Sequence, residues 1–96
     1  MQEVEALAGG QGYEPSDAIL QAFDILARGN NDQRIDSSIK ISEVVPVMRE
    51  EYAINLRPNQ VEELAKAQGF EIGRSHGYKI IKVKKELLDK LLPEEG

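Results

Sequence analysis

The stretch "RPNQVEELAKAQGFEIGRSHGYKIIKV", residues 57–83, constrains the fold of this chain more than any other. Pro58 is pre-organised for the first turn of a helix. Val61, Leu64 and Ala65 then recur at helical spacing and point inward. Glu62 and Lys66 form a supporting i,i+4 pair. Gly69 ends the helix as a left-handed C-cap. An apolar strand over residues 70–72 begins at once, the polar turn "RSHG" follows, and a second strand carries Lys79, Lys82 and Lys84. Gly77 supplies the positive φ that a tight turn needs. Phe70 and Ile72 share one face, which Ile81 and Val83 meet from the second strand. Ile80 falls on the opposite face with Lys82, which predicts a bulge or partial exposure there.

The same reading extends along the chain. Residues 1–14 are a tail or linker: "AGGQG" is flexible, and Glu3, Glu5 and Glu14 surround few apolar residues. A first helix is expected over 16–28, capped by Ser16, with Asp17 at the positive end of its dipole. Ile19, Leu20, Phe23, Leu26 and Ala27 form its apolar face, and Gly29 and Asn30 stop it. Residues 29–37 are a polar loop. "SIKI", residues 38–41, is a brief strand. Ser42 is expected to cap a second helix over 43–53, with Val44, Val45, Met48 and Tyr52 as its stripe and Pro46 in or next to the first turn. A last helix over 84–92 presents Leu87, Leu88, Leu91 and Leu92. Phe23, Val45, Leu64, Phe70 and Ile81 are expected to share a core. The domain thus spans 15–92, followed by an acidic tail, 93–96.

Ninety-six residues suffice for one small domain. The chain has no cysteine, which excludes disulfides and suits an intracellular place, cytoplasm or nucleoid. No basic stretch followed by an apolar one marks a secretory signal at the N-terminus, and no membrane partner is expected. The net charge is −5, but its distribution is uneven. Residues 57–85 hold seven cations and three anions, a net of +4, and the rest of the chain carries −9. Such polarity places a positive face on an acidic body. Lysines on a hairpin also keep an exposed sheet soluble and block edge pairing.

Two helices joined by a short turn, then a cation-rich hairpin, is the element order of the winged helix, and residues 39–83 resemble that superfamily. "GFEIGRSHGYKIIKV" carries the likeness, which covers about half the chain. The helix–Gly–Phe–basic-turn pattern also looks like the terminal winged-helix domains of phage and plasmid primase–helicases and of minichromosome-maintenance helicases. The resemblance implies an α+β fold: three helices, a short strand, a two-stranded wing and a closing C-terminal helix. It implies DNA as partner, duplex rather than single strand, and an accessory module cut from a longer replication or regulatory protein, whose other domains are further partners. The third helix would enter the major groove with Arg57, Asn59, Gln60, Glu63, Lys66 and Ala67 outward. Arg74, Ser75, His76 and Lys79 would lie at the wing tip against phosphate, with Tyr78 near a base or sugar.

Glu62 and Glu63 on the proposed recognition helix would repel phosphate, with one of them turned sideways to Lys66. The sequence pI of 4.9 is low for an isolated DNA-binding domain. Asn59, Gln60 and Lys66 also fit the solvated face of an amphipathic helix. A winged helix that binds protein is therefore the alternative, docking through its acidic face or through the leucines of the last helix. His76 has no companion for metal or catalysis and reads as an exposed turn residue. Glu50–Glu51, Glu62–Glu63 and Glu94–Glu95 are neighbours that diverge on a helix and make no acid–base dyad. No nucleophile, base and oxyanion site come together, so neither an enzyme nor a cofactor is expected.

Overall fold

The computed structural model describes residues 14–93. Pro15 opens the first helix, α1, Pro15–Leu26, where its missing N–H is one of the donors a helix start leaves idle. Glu14 is its N-cap and makes no side-chain cap bond. Ser16 therefore lies inside the first turn and does not cap it, and Glu14 belongs to the domain, not to the tail. The remaining residues of the expected tail, and Glu94–Gly96, lie outside the described residues.

After α1 the chain closes a small loop. Gly29 N–H donates to Gln33 O and Ile35 N–H to Ala27 O, both at 2.9 Å, around the short 3₁₀ turn Asn30–Asp32. This loop turns Arg34 inward, to 4 % exposure. Strand β1, Ser37–Lys40, leads directly into α2, Ile41–Tyr52. The expected strand runs one residue late and the expected helix start two. Lys40 is the N-cap, and Ser42 lies within the first turn. Pro46 sits in the second turn, where it removes one ladder hydrogen bond. An interior proline costs about 3 kcal/mol; full burial of Val44 and Met48 on either side of it offsets that cost.

Helix α3, Pro58–Ala67, begins and ends as its proline and glycine predict. Gly69, at φ +101°, donates to Lys66 O, and Phe70 N–H reaches back to Ala65 O at 3.0 Å, the paired bonds of a Schellman stop. Strands β2, Glu71–Ser75, and β3, Tyr78–Val83, follow, then α4, Lys85–Leu91. The strands form an antiparallel sheet in the order β1–β3–β2. The hairpin turn is His76–Gly77 alone, at φ +52° and +82°, the sign pair of a type I′ turn. Arg74 and Ser75 therefore belong to β2 and not to the turn.

The result is a small α+β domain: among the described residues, four α-helices and one three-stranded antiparallel sheet. Phe23 and Phe70 meet edge to face at its centre, their rings 5.0 Å apart. Ile81 is fully buried beside them, as expected. Val45 and Leu64 are only partly buried. The true stripes run through Val44 and Met48 of α2 and Val61 and Ala65 of α3, each pair one i,i+4 step. Ile80, on the outer sheet face, is 7 % exposed, with no bulge in the register. Gly73 stands opposite it, and the stem of Lys82 lies so close over Gly73 that a Cβ there would come within 3.0 Å of it. Aliphatic lysine stem thus shelters the outer face, where the expectation was a bulge or exposure.

The leucines of α4 face their own domain. Leu88 is fully buried, and Leu87, Leu91 and Leu92 pack against the core. No helix among the described residues is long and apolar enough to cross a membrane.

Candidate nucleic-acid interface

Helix α3 and the β2–β3 hairpin stand side by side, and the residues between them decide what this face can do. The pattern of α3 divides its outward residues into two groups. Asn59, Glu62 and Lys66 follow one another at i, i+3 and i+7 and so share one face. Asn59 and Glu62 line a cleft of about 310 Å³ together with Ile41, Ser42, Pro58, Tyr78 and Lys79. Gln60 and Glu63 lie on another side, where with Pro15, Leu56 and Leu64 they line a second, apolar groove of about 320 Å³. The expected base readers are therefore not one set. Asn59 and Lys66 belong with the hairpin; Gln60 does not. Gln60 is also engaged: its Oε1 accepts the Arg57 N–H at 2.8 Å and so closes the start of α3.

The starts of both α2 and α3 border the first cleft, and first-turn N–H groups carry the positive ends of the helix dipoles. The hairpin supplies cations. Arg74 and Lys79 are directly opposed in the register, like charge against like. What offsets this repulsion is Glu62. Its carboxylate takes Lys79 Nζ at 2.8 Å on one oxygen and Lys66 Nζ at 3.0 Å on the other. Hydrogen bonds from Lys79, then Lys66, hold the Glu62 carboxyl below its ordinary value, against a smaller opposing effect of desolvation. Arg74 is exposed and makes no ion pair with any described residue.

Ser75 is half-buried in β2, and His76 is exposed in the turn. Arg57, at the N-cap of α3, is exposed as well. Tyr78 is 54 % exposed, and Lys40 Nζ lies 4.5 Å from its ring centre. Two residues of this face, Lys40 and Ser42, escaped the sequence reading as site residues, and only one of Glu62's two partners was found. Glu62 was legible only through its i,i+4 lysine, because Lys79 is seventeen positions away. The pairing of β1 with β3 carries Lys40 to Tyr78 and sets Ser42, in the first turn of α2, at the cleft, and no local pattern signals that pairing.

Among the described residues, no three His, Cys, Asp or Glu side chains come together as a metal-binding group. Comparison of the chain with protein-family models, curated proteins and solved structures finds no match.

Proposed function

We propose that this domain is a winged helix that binds duplex DNA as an accessory module of a larger replication or regulatory protein. In this reading α3 faces the major groove with Asn59 and Arg57, and the β2–β3 hairpin is the wing, laying Arg74 along the phosphate backbone. The observation that carries the reading is the group of cations on α3 and the hairpin: Arg74 opposed to Lys79 in the register, and Lys66 joined to Lys79 through the shared Glu62 carboxylate. The element order and the central place of β3 in the sheet support it as well.

The test is fluorescence anisotropy of the protein with a labelled mixed-sequence duplex over a salt series. The parent should bind with a clear salt slope. Arg74→Ala should weaken binding across all sequences and lower the slope by about one, without changing the fold. A parent that binds no duplex at low salt sinks the DNA reading. An unchanged slope in Arg74→Ala removes the wing from the contact.

The second reading, a protein-interaction module, draws on the apolar groove at Leu56 and Leu64 and on the near balance of charge in the described residues, twelve cations to thirteen anions. A complex insensitive to salt would favour it.

A further inference from the structure

We propose that Glu62 is an internal stand-in for a DNA phosphate: its carboxylate holds Lys66 and Lys79 until a phosphate displaces it. This rests on the DNA reading above and names the residue that regulates the same site. The geometry is that of an anion seated between two ammonium groups, one oxygen to each, at 2.8 and 3.0 Å. A phosphate offers the same two-oxygen face to the same two donors. The lysines are open to an incoming ligand: their side chains are 48 % and 59 % exposed, while that of Glu62 is 16 % exposed. The cluster also carries an excess of positive charge. Lys66 and Lys79 share one carboxylate, and Arg74, opposite Lys79 in the register, has no ion pair among the described residues.

The consequence is a limit on indiscriminate binding. A duplex that merely presents phosphate must displace Glu62 from its two lysines, and it gains only an exchange of one anion for another. A duplex whose bases also satisfy the exposed side chains of α3 has a further source of free energy for that exchange. Glu62 thus subtracts from backbone affinity and leaves base readout untouched, which raises discrimination.

Glu62→Gln keeps the shape and removes the charge. In anisotropy titrations with a labelled mixed-sequence duplex, it should bind more tightly than the parent at low salt. Its slope of log K against log salt should be steeper by about two, because two lysines become free for phosphate. Between about 50 and about 200 mM salt that difference amounts to roughly tenfold in affinity. Adding Lys66→Gln and Lys79→Gln to Glu62→Gln should return the slope to the parent's. Equal affinity and slope in parent and Glu62→Gln overturn the proposal while the DNA reading stands. Weaker binding by Glu62→Gln, at an unchanged circular-dichroism spectrum, also overturns it, since Glu62 would then be positioning the lysines. A slope that stays steep in the triple variant overturns it as well. If neither parent nor Glu62→Gln binds duplex, the DNA reading fails and this inference with it.

Discussion

Ala53 holds φ +56° at the end of α2, a conformation in which the Cβ of an L residue crowds the following carbonyl. Its N–H donates to Arg49 O at 3.1 Å, and the turn it makes frees residues 54–57 to run across to Pro58. Gly69 adopts the same hand at the end of α3 without the penalty. Ala53→Gly should therefore stabilise the domain. Removal of the strain is worth about 1 kcal/mol, and the greater freedom of glycine in the unfolded chain takes back part of it, for a net gain of about 0.5 kcal/mol. Urea unfolding would register this as a higher midpoint at an unchanged m-value. A lower midpoint would show that Ala53 is not strained. The contrast also explains why the left-handed conformation was legible at one helix end and not at the other, although both ends fall within a residue or two of where the sequence puts them. Glycine announces a left-handed stop; alanine, a good helix former, gives no signal.

At the scale of elements, α4 is held by more than its leucines. Arg34, buried in the loop after α1, donates to Asp24 of α1 and to Asp89 of α4, each at 2.7 Å. Asp36 accepts the N–H of Lys85 at 2.8 Å and so serves as a cap supplied from a distant part of the chain, which the pairing of Ser37 with Val83 brings alongside. A seven-residue helix cannot stand alone in water, and these contacts tie it to α1. Arg34→Ala should cost about 3 kcal/mol, because it leaves the partly buried Asp24 short of a counter-charge. Arg34→Lys should recover little of that loss, since a single ammonium does not reproduce the fork between two carboxylates. Hydrogen exchange should show the amides of α4 opening more in Arg34→Ala than those of α3. Equal protection would place the anchoring elsewhere. The sequence reading passed over Arg34 because a cation in a polar loop looks solvated; only the ion pairs of the fold turn it inward.

The whole molecule carries its charge unevenly, and that sets its response to acid. Among the described residues, three carboxyls titrate below their ordinary values. For Asp24, burial pushes the value up, but hydrogen bonds and charge from Arg34 and Arg28 outweigh it. For Asp89, hydrogen bonds from Lys85 and then Arg34 lower it. Glu62 is lowered by Lys79 and Lys66. A carboxyl depressed in the folded state stabilises the fold fully above its unfolded value, here 3.8 for the aspartates and 4.5 for Glu62, and that contribution is lost as pH falls through the folded value. Stability measured by urea unfolding should therefore be level with respect to these groups from neutral pH down to the ordinary carboxylate range, then decline. Asp24→Asn should lower stability at neutral pH and flatten the acid decline. An equally steep decline in that variant would assign the acid sensitivity to other groups.

By itself, the sequence determined the elements and their order. Pro58, Gly69 and Gly77 bear on φ at their own positions, so the start of α3, its end and the hairpin turn were readable from one short stretch. Hydrophobic periodicity likewise assigned α1, α2 and the inward faces of the sheet, within a residue or two at their ends. Tertiary structure decided the rest, because it depends on contacts between residues far apart in the chain. The pairing of β1 with β3 carries Lys40 to Tyr78. The packing of α3 beside the hairpin brings Glu62 to Lys79 and puts Gln60 on another side. Which member of Val44–Val45 or Leu64–Ala65 is buried depends on a rotation of about 100° per residue, and a stripe read from sequence does not resolve it. Charge counted along the chain located the cations on α3 and the hairpin; only their distances across the cleft showed that two of them already share an anion.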